Sequence, residues 1–115
     1  MRKILWVIAL LVGGYAPAYA HAMLEHANPG AGATLPQAPK TITLDFSEGL
    51  EPAFSATTVS DSAGHDVTAA KATVAGNTMS VALQPLAPGT YKVVWHAVSV
   101  DTHRTQGAYE FTVKP

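Results

Sequence analysis

The chain contains no cysteine, and that absence excludes several chemistries at once. There can be no thiolate nucleophile, no Cys-ligated zinc, and no blue-copper centre, which needs a Cys sulfur. Disulfides, on which small exported domains often lean, are excluded too, so folding must rest on apolar packing. Basic charge is scarce. Beyond residue 20 only Lys40, Lys71, Lys92, Arg104 and Lys114 stand against eight acidic residues, a net charge of −3. No basic patch exists for nucleic acid or for an anionic membrane surface. Long hydrophobic runs are missing as well: Ile4 to Val12 is unbroken but spans nine residues, short of the roughly 20 that cross a bilayer.

What the first twenty residues do contain is a leader pattern. Met1-Arg2-Lys3 is a basic start, the apolar run follows, and Ala18-Tyr19-Ala20 gives the small-x-small signature of signal-peptidase cleavage. Residues 1–20 are therefore read as a signal peptide, and a retained membrane anchor is the weaker reading. Cleavage after Ala20 would leave 95 residues, 21–115, enough for one domain with a single core. It would also make His21 the new chain end.

From Thr34 onward the sequence reads as short strands between turn residues. Thr41–Phe46 alternates strictly, with Ile42, Leu44 and Phe46 on one face. Ala56–Asp61, Val67–Ala75 and Thr78–Leu83 are rich in Thr, Val and Ala, and Gly64, Gly76-Asn77 and Pro85 separate them. Thr90–Val98 puts Tyr91, Val93 and Trp95 on one face, and Ala108–Val113 puts Tyr109, Phe111 and Val113 inward. A first strand is expected to begin at His21, followed by an extended loop over Asn28–Pro39. About seven strands with no helical period predict an all-β fold, a sandwich or Greek-key β-barrel.

Two features carry candidate chemistry. An N-terminal His21 offers its imidazole and its free α-amine, which together close a chelate ring on one metal ion. Asp101-Thr102-His103 places a carboxylate and an imidazole two residues apart, on the same side of an extended chain. Asp-x-His alone is weak evidence, since such a pair on a loop is usually just solvated. Combined with His21 it gives an N,N,N,O donor set, which favours Cu(II) in a tetragonal arrangement. Zn(II) could take the same donors but prefers a tetrahedral site. Because an α-amine ordinarily titrates at about 7.7–8.0, binding should weaken as pH falls.

The chain resembles the CopC/PcoC family of periplasmic copper-binding proteins. The matching stretches are His21 with Leu24, Asn28-Pro29 with Gly32 and Leu35, and Leu44-Asp45-Phe46-Ser47-Glu48. Leu86 to Trp95, Val98 to His103, Gly107 and Phe111-Thr112-Val113 complete the match. The resemblance implies a Greek-key β-barrel of cupredoxin-like or immunoglobulin-like form and a role in copper resistance. It implies one Cu(II) ion held by the terminal amine and imidazole of His21, by Asp101 and by His103. Glu48 is implied as a neighbour of that site, against the plain reading of a solvated strand-end carboxylate. A CopD-type inner-membrane protein is the implied recipient of the copper, and a monomer the implied state.

Some relatives hold Cu(I) in a methionine-rich loop. The corresponding stretch here, about Ser60 to Ala69, has no methionine, and only Met23 and Met79 remain after the leader. No such Cu(I) site is expected. His65 is expected at a hairpin tip, His96 on the strand face opposite Trp95, and His26 just before the Asn28-Pro29 turn; none is assigned a role. Two alternatives stand beside the carrier reading: a copper monooxygenase built on a histidine brace, and a metal-free immunoglobulin-like interaction domain. The carrier, a non-enzyme, ranks first because Asp101 would fill a coordination position that oxygen activation needs open.

Overall fold

Period-2 alternation decides which face of each strand is buried, and the computed structural model, which describes residues 22–115, follows it closely. Among the described residues eight strands form: β1 (Leu24–Asn28), β2 (Thr34–Leu35), β3 (Thr41–Phe46), β4 (Ala56–Ser60), β5 (Thr73–Ala75), β6 (Thr78–Ala82), β7 (Gly89–Val98) and β8 (Arg104–Val113). One 3-10 turn, Pro52–Phe54, precedes β4. They make two four-stranded sheets, ordered β1-β3-β6-β5 and β2-β8-β7-β4. The expected all-β Greek-key sandwich is thus the architecture found.

The core lies between the sheets. One sheet contributes Ile42, Leu44, Phe46, Met79 and Val81, and the other contributes Val59, Tyr91, Val93, Trp95, Ala97, Phe111 and Val113, all buried. Burying each of the larger side chains stabilises the fold by about 1.5–3 kcal/mol. Phe46 meets Trp95 edge-on across the sheets at 5.1 Å, and Tyr91 stacks on Phe111 at 5.5 Å. Tyr109, expected inward, is half-buried, and its hydroxyl donates to the Pro29 carbonyl at 2.9 Å. That burial raises its pKa to about 12.

Trp95 explains a glycine. Gly107 pairs directly opposite it on β8, and a Cβ at 107 would sit 2.7 Å from Trp95 Cζ2 and 2.9 Å from Cε2. The indole ring occupies the space a Cβ would take. Gly107→Ala should therefore destabilise the protein by about 1–3 kcal/mol through overpacking, read as a lower urea midpoint. An unchanged midpoint would mean the ring relocates without strain.

The sequence reading needs four corrections. Val67–Ala75 is a strand only over Thr73–Ala75. Before that the chain crosses between sheets: Val67 N–H bonds to Val59 on β4, and Ala69 N–H bonds to Ala82 on β6. Asp66 Oδ1 also captures the Thr68 amide and hydroxyl, at 2.8 and 2.6 Å. Second, the last strand begins at Arg104, four residues before Ala108, because it pairs with β7 along its full length. Third, the loop over Asn28–Pro39, which holds a cis Asn28–Pro29 bond, includes β2, and β2 pairs parallel with the far end of β8. Fourth, the first strand as described starts at Leu24; His21, where it was expected to start, lies outside the described residues, as does the expected leader.

Candidate metal centre

Three segments converge at one end of the sandwich: residues 22–23 just before β1, the loop 47–51 after β3, and the β7–β8 connection at 98–105. Ala22 is buried, and its carbonyl accepts from Thr105 Oγ1 at 2.8 Å. Met23 is fastened on both sides by Ser47, its amide donating to Ser47 Oγ at 2.8 Å and its carbonyl accepting from the Ser47 amide at 2.8 Å. The loop then joins the third segment. Val100 N–H donates to Gly49 at 3.0 Å and Glu51 N–H to Val98 at 2.8 Å.

Asp101 and His103 come together, but not by the expected route. Extended alternation was to bring them to one side; a tight turn does it instead. Ser99 N–H donates to the His103 carbonyl at 2.9 Å and Thr102 N–H to the Ser99 carbonyl at 2.8 Å. Thr102 sits at φ 73°, in the left-handed region. For an L-residue that conformation costs about 1–2 kcal/mol, and such outliers gather at functional sites. The result is Asp101 Oδ1 3.2 Å from His103 Nδ1, with both side chains exposed.

Ser99 is fully buried, and its hydroxyl donates to Asp101 Oδ1. That hydrogen bond, followed by the one from His103, holds the Asp101 carboxyl below its ordinary 3.8 despite the opposing effect of partial burial. Asp101 therefore stays anionic to a lower pH than an ordinary carboxyl.

Glu48 is half-buried in the 47–51 loop, between the residue tied to Met23 and the residue tied to Val100. Among the described residues, no three His, Asp or Glu side chains are grouped closely enough to hold a metal ion. Asp101 and His103 supply two donors, and any further donor must come from elsewhere. His21, the expected third contributor, lies outside the described residues. The other histidines stand apart. His26 is exposed on β1 opposite Asp45, and His65 is exposed at a turn with Nδ1 3.4 Å from Asp61 Oδ2. His96 is exposed on the outer face of β7, as read, beside a groove of about 590 Å³ shared with Phe54, Arg104 and Gln106.

The sequence reading missed Ser99, Thr105 and Ser47. A signal was available for the first two. Tyr91, Val93, Trp95 and Ala97 set an inward phase on β7, and Ser99 continues it with a hydroxyl. Thr105 does the same in the phase of Gly107, Tyr109 and Phe111. A polar residue where the alternation calls for an apolar one marks a buried hydrogen bond. Ser47 gives no comparable signal.

Comparison with known proteins agrees with the sequence resemblance. The family model described as the CopC domain matches residues 24–114. The chain is 42% identical over 100 residues to Protein YobA of Escherichia coli K12, covering 84% of this chain and 81% of that one. Among solved structures it is similar to CopC from Methylosinus trichosporium OB3b, with a TM-score of 0.77, 35% identity, and coverage of 83% of this chain and 95% of that one. It is likewise similar to PcoC, a methionine-rich copper resistance protein from Escherichia coli, with a TM-score of 0.74, 38% identity, and coverage of 83% and 100%. A match over most of its length, in sequence and in fold, makes this chain a member of the CopC family.

Proposed function

We propose that this protein is a periplasmic carrier of a single Cu(II) ion, exported by removal of residues 1–20. The ion is held by the α-amine and imidazole of His21, by Asp101 and by His103, with Glu48 beside the site. The observation that carries this reading is the hydrogen bond from Thr105 to the Ala22 carbonyl. It fastens the residue next to the expected chain end within two positions of His103. Cleavage elsewhere in the leader would waste that arrangement.

The donor chemistry supports copper in its divalent state. Imidazole and amine nitrogens with one carboxylate suit Cu(II), and Asp101 is held anionic by Ser99. A soft thioether site for Cu(I) is not part of the proposal, in contrast to the methionine-rich relative. Met79 is buried in the core, and Met23 stands alone, exposed, just before β1. With protein donors filling the equatorial positions, the ion has little room for a substrate, so we assign no enzymatic activity. Handover to a CopD-type inner-membrane protein, by a monomeric carrier, completes the proposal.

The test is a change of one residue at the chain end. The exported protein is purified, its first residue fixed by intact mass, and its Cu(II) electron paramagnetic resonance spectrum recorded. A variant with one alanine ahead of His21 should lose the nitrogen-rich signal and bind copper far more weakly, because an amide nitrogen replaces the amine. An unchanged spectrum would show that the amine is not a ligand.

A further inference from the structure

We infer that the outer edge of β4 is a docking slot for an extended peptide strand of a partner protein. The guest enters antiparallel to β4, with a basic residue toward its N-terminal end and an acidic one toward its C-terminal end. The slot uses none of the proposed copper donors.

Backbone polar groups of successive strand residues point to opposite sides. Val59 and Asp61 turn theirs away from β7: the Val59 carbonyl accepts from Val67 N–H at 2.8 Å, and Asp61 N–H donates to the His65 carbonyl at 2.9 Å. Residues 65–67 thus run antiparallel along the outer side of β4, but only that far. The Val67 carbonyl accepts from Gln84 N–H at 2.8 Å, and Ala69 N–H bonds to Ala82 of the other sheet. Thr57 shares the phase of Val59, so its N–H and C=O face the side that the chain has vacated. Neither has a hydrogen-bond partner among the described residues. Thr57 is almost fully buried, and a buried backbone group left unpaired is costly. A guest strand would supply both partners, as strand addition at a sheet edge does.

A groove of about 610 Å³ lies where that missing neighbour would run, between β4 and residues 68–72. Its walls include Ala53, Ala69, Ala70 and Ala72, whose short side chains leave room for those of the guest. Because 68–72 walls the edge, a bare strand fits and a strand already flanked by its own sheet does not. Charge sets the direction. Asp66 lies opposite Ser60, and the chain runs on from it to β5, which packs beside the 3-10 turn ahead of β4. A guest continuing the line of 65–67 therefore starts beside Asp66 and ends toward Lys71. Both residues line the groove, and neither forms an ion pair among the described residues.

The test uses the metal-free exported protein and two end-capped hexapeptides of equal composition, Lys-Val-Thr-Val-Thr-Glu and Glu-Val-Thr-Val-Thr-Lys. In a nitrogen-15 NMR titration the lysine-first peptide should saturate below about 1 mM, shift the Thr57 amide and slow its hydrogen exchange. The reversed peptide should bind about fivefold more weakly. Lys71→Glu, at an exposed position, should abolish that preference. Saturation by neither peptide, equal affinity of the parent for both, or shifts that spare Thr57 would overturn the inference. So would a Thr57 amide that shifts with protein concentration alone, which would give the edge to a second copy of this chain.

Discussion

Replacing His103 with alanine should lower Cu(II) affinity by more than about a hundredfold, beyond the 10–100-fold that follows when only a ligand's neighbour is lost. The argument is geometric. Asp101 and His103 are the proposed donors; the β7–β8 turn brings them 3.2 Å apart, and no third metal-binding side chain joins them among the described residues. Stability should barely move, because both side chains are exposed and exposed ion pairs add little. Competition titration against a chelator, paired with a thermal melt, checks both halves. Parent-like affinity in His103→Ala would dismiss the turn as the binding site.

The same experiment done across pH separates the donors. The hydrogen bond from Ser99 lowers the Asp101 carboxyl from its ordinary range, so Asp101 protonates later than a free carboxyl as pH falls. With the proposed donors, loss of copper as pH falls below about 8 would report protonation of the α-amine, which ordinarily titrates near 7.7–8.0.

Phe46→Ala should destabilise the protein by about 3–5 kcal/mol, the usual range for emptying a large aromatic site in a core. Phe46 is fully buried and meets Trp95 edge-on at 5.1 Å. Its backbone is clamped by Asn77, whose carbonyl accepts from the Phe46 amide at 2.8 Å and whose side chain donates to the Phe46 carbonyl at 2.7 Å. The strand end therefore cannot slide to refill the space. For a domain this small the melting temperature should fall by roughly 15–30 °C. A fall of under about 5 °C would mean that this end of the sandwich repacks freely.

Much of the fold could be read before any coordinates because alternation is a local property. Ile42, Leu44 and Phe46, and likewise Tyr91, Val93 and Trp95, announce their buried face within six residues. The parts that could not be read depend on distant partners. Thr34–Leu35 becomes a strand only because Thr112 and Val113 lie alongside it. Val67–Ala72 has strand composition but is pulled between two sheets. Gly107 looks like a break in β8 and is instead the bed for an indole ring. At the site, the pairing of Asp101 with His103 was legible from spacing, whereas the left-handed Thr102 that produces it was not. Nothing in the residue type foretells it, since a β-branched residue ordinarily avoids that conformation.

Of the chain's two tryptophans, Trp6 falls in the segment expected to be removed, which leaves Trp95 as the sole indole of the remainder. It is almost fully buried, wedged between Phe46 and the bare backbone of Gly107, a few residues along β7 from the turn that holds Asp101 and His103. The molecule thereby carries its own optical gauge. Emission from one rigid fluorophore, quenched by a paramagnetic ion at the nearby sandwich end, would register occupancy and unfolding in a single cuvette without any attached dye.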